Sequence, residues 1–330
     1  MAMAEKEPAA QPDGIFGAGD GHAVLLLHGL SSSPIEFRYL ARYLQNEGFT
    51  VCAPIIDGYS AGSREQSMER WLEGALREFD VLAARYERVS VCGLSIGGAL
   101  ALRLVRERPA AQALVLLSLT LAYDGWAIPW YRFLLGWAYY TSMRHRYRYR
   151  EAEPFGIRNE ALRKKIARAM QRNAFSEVGP SMISLPALHE ALRLSRAARN
   201  DIAAIETDTL VIHAIDDETS SPRNPRFVID HIGSNFLRTL WLDDSYHMIT
   251  SDNEREIVAR ETALFLRESE VARGSNNTLS QPVVSKALAR RLRQPAAVGM
   301  GNARTRVFTQ PAGRWFPRLL SGRTVPPRPY

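Results

Sequence analysis

The last sixty residues of the chain contain no aspartate or glutamate, although residues 271–330 carry eleven lysines and arginines. Because these charges exceed the whole-chain net charge of +7, residues 1–270 are net acidic. The tail is rich in Arg, Pro and Gly, and such a composition buries too little apolar surface to offset its ordering entropy. We expect 271–330 to be a dispensable, disordered extension. The alternative is an arm for nucleic acid or anionic membranes, and we expect no nucleic-acid partner.

The chain also lacks an apolar leader and any long hydrophobic run. Residues 1–13 contain no apolar segment of the kind found in a signal peptide, and we expect them to be disordered. The most apolar later stretch, 126–143, includes Arg132 and is shorter than the roughly 20 residues that span a bilayer. We therefore expect a cytoplasmic protein.

Cysteine is scarce, since Cys52 and Cys92 are the two cysteines among 330 residues. This count excludes a disulfide framework, and we expect reduced thiols in the core. A chain of this length buries roughly three quarters of its unfolded surface, so it can form a full hydrophobic core.

Short apolar runs alternate with amphipathic segments along 14–270, which we interpret as one folded domain. The runs predict strands at 23–29, 49–54, 88–92, 113–119, 209–214 and 237–242, with helices at 35–47, 68–86, 96–106 and 254–267. This alternation predicts an α/β fold with a doubly wound, mostly parallel sheet. The interval 121–208 breaks the rhythm and is interpreted as an inserted cap with two polar helices, near 159–172 and 187–200.

A single serine lies between glycines in V-C-G-L-S-I-G-G-A-L, residues 91–100. A strand precedes Ser95 and a helix follows it, as the nucleophile-elbow pattern G-x-S-x-G requires. The turn would hold the hydroxyl above the strand ends and direct the N–H of Ile96 toward developing negative charge. The alternative is a loop whose glycines only let the backbone bend.

A serine nucleophile needs a base, and the base needs an orienting acid. His247 fits best, because it follows a strand and precedes the final helix. Asp216 and Asp217 both follow an earlier strand, and the residues alone leave the choice of acid open. The second oxyanion donor is expected at the N–H of Leu30, after the first strong strand. His28 is interpreted as shaping that loop.

The blocks V-L-L-L-H-G-L, G-L-S-I-G-G, A-I-D-D-E-T-S-S-P and S-Y-H-M-I-T resemble, in order and spacing, the α/β-hydrolase superfamily, specifically small bacterial carboxylesterases related to monoacylglycerol lipases. The likeness covers roughly residues 14–268. It implies Ser95 as nucleophile, His247 as base and Asp217 as acid, because the family's acid precedes a proline by five residues, here Pro222. Leu30 and Ile96 are the implied oxyanion donors.

The resemblance also has two structural implications. The family's strand order places the strands of Cys52 and Cys92 on either side of the first strong strand, about 10 Å apart, which is too far for a disulfide. The family usually has glycine before the histidine, where this chain has Tyr246. A bulky residue there is expected either to narrow the pocket or to displace His247.

The cap begins with an aromatic stretch, 123–143, which is followed by R-H-R-Y-R-Y-R. The aromatic residues suit the wall of an acyl pocket or a lid in transient contact with lipid, and they equally suit packing between cap and sheet. The basic run is interpreted as a solvated face, with binding of anionic head groups as the alternative.

Taken together, the sequence predicts a serine carboxylesterase that hydrolyses short- to medium-chain esters or monoacylglycerols through an acyl-enzyme, without cofactor or metal. An acyltransferase or thioesterase on the same fold is the alternative within enzymes. A non-catalytic binding protein of this fold is the alternative outside them.

Overall fold

The strands and helices are seen in a computed structural model that describes residues 14–172, 175–176, 179–180, 182–234, 236–274 and 306–311. The strands are β1 Ile15–Gly17, β2 His22–Leu27, β3 Thr50–Ala53, β4 Arg88–Leu94, β5 Leu114–Leu117, β6 Arg148–Arg150, β7 Phe175–Ser176, β8 Gly179–Pro180, β9 Met182–Ser184, β10 Thr209–Ala214, β11 Phe236–Leu242 and β12 Arg306–Pro311. The α-helices are α1 Arg38–Asn46, α2 Met68–Ala83, α3 Ile96–Glu107, α4 Leu134–Ala138, α5 Glu160–Arg172, α6 Leu185–Asp201, α7 Arg223–His231 and α8 Arg255–Gly274.

Eight strands form one sheet in the order β1-β3-β2-β4-β5-β10-β11-β12. The six inner strands run parallel, and the edge strands β1 and β12 pair antiparallel with their neighbours. Each predicted strand corresponds to one of the six parallel strands, so the predicted α/β-hydrolase sheet is confirmed.

Both faces of the sheet are covered, which explains why its strands read as continuous apolar runs. Along β2, Leu25 and Leu27 contribute to the core on one face, whereas Val24 and Leu26 contribute to the core on the other. Helices α2, α3 and α6 pack on the first face, and helices α1 and α8 pack on the second.

The cap differs in two respects from the predicted pair of polar helices. It contains two short antiparallel strand pairs, β6 with β9 and β7 with β8, as well as helices. Its last helix, α6, buries Ala191, Leu194 and Ala198 in the main core. The arginines of α6 make its overall composition polar, and the sequence prediction therefore missed its apolar face. A helix with a polar composition can still bury one face.

Two regular elements beyond residue 267 were not predicted from the sequence. Helix α8 continues to Gly274, and Arg306–Pro311 pairs along β11 over six residues. The β-branched and aromatic residues of R-V-F-T-Q-P suit an edge strand. The rest of the tail, 275–305 and 312–330, and the N-terminal 1–13 lie outside the described residues, so their predicted disorder stays a prediction.

Cys52 and Cys92 are free thiols on β3 and β4, and β2 lies between these two strands. The predicted absence of a disulfide between them is confirmed. Across the described part of the chain, none of the helices has both the length and the apolar content to cross a bilayer.

Candidate active site

Ser95 occupies a sharp turn between β4 and α3. Its backbone has φ 56° and ψ −121°, a conformation that costs a non-glycine residue free energy. The flanking glycines make the turn feasible, because a β-carbon on Gly93 would overlap the carbonyl oxygen of Gly97 and one on Gly97 would overlap that of Leu27. The predicted strand–turn–helix context of Ser95 is therefore present.

Three side chains from separate loops meet at the carboxyl ends of the parallel strands. The Nε2 atom of His247 lies 2.9 Å from the Ser95 hydroxyl, and its Nδ1 atom lies 2.7 Å from Oδ2 of Asp217. A hydroxyl, an imidazole and a carboxylate in this line can move a proton from serine to histidine while the carboxylate fixes the ring.

The two candidate carboxylates have different surroundings. The side chain of Asp217 is fully buried, and its Oδ1 atom accepts hydrogen bonds from the backbone N–H groups of Thr219 and Ser220. The side chain of Asp216 is 56% exposed and pairs with Arg158 at 2.9 Å. Of these two carboxylates, Asp217 is the one that contacts the imidazole of His247.

A buried hydrogen-bond network holds the loop after β2, where Leu30 lies. The carboxylate of Glu36 accepts a hydrogen bond from the Gly29 N–H at 2.8 Å and another from the Ser32 hydroxyl. Tyr59 donates its hydroxyl to the carbonyl of His28 at 2.6 Å. Leu30 lines the same small pocket as Ser95, and the N–H of Ile96 opens helix α3 directly after the serine.

The electrostatics of the site favour a charged imidazole. Burial by itself would lower the pKa of His247, but the adjacent Asp217 carboxylate outweighs burial and, with Glu218 and Glu151, raises this pKa to about 9. The imidazolium in turn holds the pKa of Asp217 below its usual value despite burial. The pair is thus arranged as an ion pair.

The small pocket beside Ser95 contains about 80 Å³ and is lined by three glutamates that the sequence analysis did not single out, Glu36, Glu151 and Glu218. Burial raises the pKa of Glu36 and of Glu151 to about 7, and burial together with Asp217 raises that of Glu218. Glu218 follows Asp217 within the block A-I-D-D-E-T-S-S-P, but no motif signals Glu36 or Glu151, which come from distant segments of the chain.

A larger cavity of about 440 Å³ lies under the cap. Its lining is mainly apolar and aromatic, and Tyr123, Glu151, Ile183 and Thr219 line both this cavity and the small pocket. A group bound at Ser95 therefore adjoins a larger, mainly apolar space. Part of the aromatic stretch serves as wall, as one of the two interpretations of the cap expected.

Tyr246 neither lines the pocket nor displaces the histidine. Its ring packs edge-on against Trp126 at a centroid distance of 5.8 Å, and the guanidinium of Arg158 lies over it at 5.4 Å. Since His247 keeps its contacts with Ser95 and Asp217, the expected disturbance is absent. The bulky residue instead joins the histidine loop to the cap.

Further polar residues support the site without having been predicted. Thr120 places its hydroxyl 3.2 Å from that of Ser95. Glu218 accepts the backbone N–H of His247 at 3.1 Å. The buried Asp252 accepts the N–H groups of Tyr246 and of Arg158. In the sequence, Asp252 lies in the pattern S-D-N-E before α8, which signals the start of a helix. The pattern does not show that Asp252 also contacts the backbone of the cap.

The remaining histidines have other roles in the described structure. His28 spans Gly29 and Ser60 with its two ring nitrogens and so shapes the loop after β2, as predicted. His213 lies in β10, with Nε2 2.9 Å from the Ser220 carbonyl. Among the described residues, no group of His, Cys, Asp and Glu is arranged to hold a metal ion.

The sequence profile of the family described as serine aminopeptidase, S33, matches residues 20–254. This match covers more than half of the chain and includes the segments of Leu30, Ser95, Asp217 and His247.

Individual proteins are similar over most of the chain. A carboxylesterase from Bacillus subtilis (strain 168) is 26% identical over 257 residues, which cover 77% of this chain and 95% of that protein. A thermostable monoacylglycerol lipase from Bacillus sp. (strain H-257) is 24% identical over 269 residues, 80% and 98% of the two chains. The crystal structure of the Paleococcus ferrophilus monoacylglycerol lipase shares the fold, with a TM-score of 0.65, 19% identity and coverage of 77% and 97%.

Proposed function

Because the chain belongs to the serine aminopeptidase S33 family of α/β-hydrolases, as an esterase- and lipase-like member, we propose that it hydrolyses short- to medium-chain carboxylic esters or monoacylglycerols through an acyl-enzyme on Ser95. The observation that carries this proposal is the hydrogen-bonded line from Ser95 through His247 to Asp217. Similarity to a carboxylesterase and a monoacylglycerol lipase supports an ester as the substrate class.

In the first half-reaction, Ser95 Oγ forms a bond to the ester carbonyl carbon while its proton passes to Nε2 of His247. Asp217 stabilises the resulting imidazolium and keeps the ring in place. The tetrahedral intermediate then breaks the bond to the alcohol, which leaves with the proton from His247. In the second half-reaction, water attacks the acyl-enzyme in the same way, releasing the carboxylic acid and restoring Ser95.

The carbonyl oxygen becomes negative in both tetrahedral intermediates and needs fixed donors. We assign this role to the backbone N–H groups of Leu30 and Ile96, since Leu30 lines the pocket at Ser95 and Ile96 directly follows Ser95 and begins a helix. Each well-aimed donor of this kind typically contributes about 3 kcal/mol to lowering the barrier. The Glu36 network supports the proposed position of Leu30.

The two adjoining spaces suit an apolar part and a polar part of the substrate. The cavity of about 440 Å³ suits an aliphatic acyl chain, because its lining is mainly apolar. The small pocket suits an alcohol portion with hydrogen-bond donors, because Glu36, Glu151 and Glu218 line it. Glycerol has such hydroxyls, so the lining supports monoacylglycerols alongside simpler esters.

The proposal is tested with Ser95→Ala and the exposed serine variant Ser142→Ala as a matched control. We expect Ser95→Ala to lose at least about 10⁴-fold in kcat/KM on p-nitrophenyl butyrate, while Ser142→Ala retains the activity of the unmodified chain. A fluorophosphonate probe should label the control and not Ser95→Ala. Unchanged turnover by Ser95→Ala would show that another nucleophile attacks the ester.

A second substrate class is favoured by the three glutamates beside Ser95. Carboxylates around a small pocket attract a primary ammonium group, and such a group is present at the amino end of an aminopeptidase substrate. The proposed acyl-enzyme chemistry also cleaves amides. Comparing kcat/KM for amino-acid p-nitroanilides and p-nitrophenyl esters decides between the classes, and we expect the esters to be preferred because of the apolar cavity.

A further inference from the structure

The cap exposes an unusual amount of aromatic surface. Within the segment Trp126–Arg150, here called the cap segment, Trp130, Trp137 and Tyr140 are 80%, 70% and 79% exposed. Single exposed apolar residues are ordinary, but several large ones along one segment mark an interaction surface.

The exposed rings contact one another, and Tyr139 and Tyr140 also contact His189 of α6 at centroid distances of 3.6 and 6.0 Å. Trp130 contacts Tyr131 and Phe133 at centroid distances of 6.0 and 6.2 Å, and Tyr139 contacts Tyr140 at 5.3 Å. Trp130, Tyr131 and Phe133 lie in the single helical turn Trp130–Phe133, and Trp137 lies in the five-residue helix α4. The packing interpretation from the sequence therefore does not account for the outward-facing members.

The same segment is strongly basic. It holds five arginines and no aspartate or glutamate. The guanidinium groups of Arg146, Arg148 and Arg150 are exposed, and within the described ranges none of them is paired with a carboxylate, in contrast to Arg108 or Arg158. The segment thus presents positive charge free for a partner.

We propose that the cap segment docks on the surface of an anionic lipid bilayer, with its aromatic rings among the head groups and its arginines on the lipid phosphates. Trp and Tyr favour this boundary, because one end of each ring is apolar and the other is polar. Exposed apolar side chains beside Arg are the combination that binds membrane interfaces.

The cavity beneath the segment favours lipid over nucleic acid, which also binds basic aromatic surfaces. Pro129, Tyr131 and Phe133 of the cap segment line the apolar cavity that adjoins the pocket of Ser95. A lipid ester taken from the bilayer would enter an apolar space at once, whereas a nucleic acid gains nothing from it. This point about substrate entry rests on the proposed function, but the docking does not.

The test measures sedimentation of the full-length chain with vesicles of phosphatidylcholine, alone or mixed with phosphatidylglycerol. We expect binding to the mixed vesicles to fall about fivefold for each arginine removed in R146Q/R148Q/R150Q. The variant W130S/W137S/Y140S should bind both vesicle types less. The basic tail is present in every variant, so a difference between them arises in the cap segment.

Matched controls carry the same substitutions elsewhere on the surface, at exposed arginines in R42Q/R64Q/R85Q and at exposed apolar residues in F16S/V81S/L264S. We expect these to bind vesicles like the unmodified chain. Circular dichroism and thermal unfolding check that each variant is folded, whether or not it hydrolyses an ester.

Vesicle binding that is equal in the cap variants and the unmodified chain would overturn the docking proposal. So would a loss of affinity for a single-stranded RNA oligonucleotide without a loss of vesicle binding. Because sedimentation requires no hydrolysis, an inactive chain that still binds vesicles would count against the proposed function alone.

Discussion

The carboxylate of Asp252 accepts the backbone N–H of Tyr246 at 2.9 Å and so fixes the residue that precedes His247. The same carboxylate accepts the N–H groups of Arg158 and Asn159 at the base of the cap. One buried side chain therefore sets both the histidine loop and the adjoining cap backbone.

Replacing Asp252 by alanine is expected to lower the free energy of unfolding by about 3 kcal/mol, because three partly buried N–H groups lose a charged acceptor. We also expect kcat to fall more than KM rises, since the imidazole loses its alignment while the substrate cavity keeps its walls. Denaturant unfolding and steady-state kinetics on p-nitrophenyl esters measure the two effects. Asn253→Ala, which alters the next, more exposed residue, is the control and should change both quantities little.

The neighbouring carboxylates Asp216 and Asp217 allow a matched pair of variants. Asp217→Asn should lower kcat by about 10⁴-fold, because an amide no longer stabilises the charged imidazole. Asp216→Asn should stay within a few fold of the unmodified chain, since its contact is the surface pair with Arg158. Equal effects of the two substitutions on kcat would remove Asp217 from the proposed role.

The raised pKa of His247, about 9, has opposite consequences for rate and for stability. The neutral imidazole is the base, so kcat/KM should increase with pH up to about 9. The charged imidazole is stabilised by folding, so this contribution to stability is complete below the unfolded pKa near 6.5 and is lost as pH rises through about 9. Activity profiles and unfolding at several pH values test both trends.

A substitution at Glu151 tests whether this carboxylate contributes to the raised pKa of His247. Its carboxylate is one of the charges that raise the pKa of His247, so Glu151→Gln should shift the rise of kcat/KM to lower pH. Burial also raises the pKa of Glu151 itself to about 7. In the unmodified chain its contribution to stability is present below pH 4.5 and lost as pH rises through 7, and Glu151→Gln should remove that loss. An unshifted activity profile would contradict the coupling.

The two glycines after Ser95 should differ in their tolerance of a methyl group. Gly97→Ala places a β-carbon against the backbone carbonyl oxygens of Leu27 and His28, which cannot move aside, and should lower the free energy of unfolding by about 3 kcal/mol and reduce activity. Gly98→Ala meets the flexible side chain of Leu119 and should cost about 1 kcal/mol or less. Thermal unfolding of both variants distinguishes them.

The sheet and the site differ in how far the sequence predicts them. Central strands such as β10 are predictable to the residue, because a parallel strand buried on both faces appears as one apolar run. The position of Ser95 is predictable from its glycines, which the tight turn requires. Edge strands escape prediction, since the three residues of β1 are too few to show a period.

Residues that support the site through long-range contacts could not be found in the same way. Glu36 acts on Gly29 across a loop, and Glu151 reaches the pocket from the cap; both are ordinary glutamates in the sequence. The residues alone do not separate Asp216 from Asp217, and the choice of Asp217 rests on the family resemblance through the spacing to Pro222. The difference between them is burial, which depends on how the folded loop is turned.

The position of β12 has a practical consequence for shortened versions of this chain. Its six residues occupy the outer edge of β11, so a protein ending at Gly274 would leave the amide and carbonyl groups of that strand unpaired. Such an edge is a template for joining two molecules side by side. We expect the shortened protein to elute from size-exclusion chromatography as a larger species than the full-length chain at the same concentration.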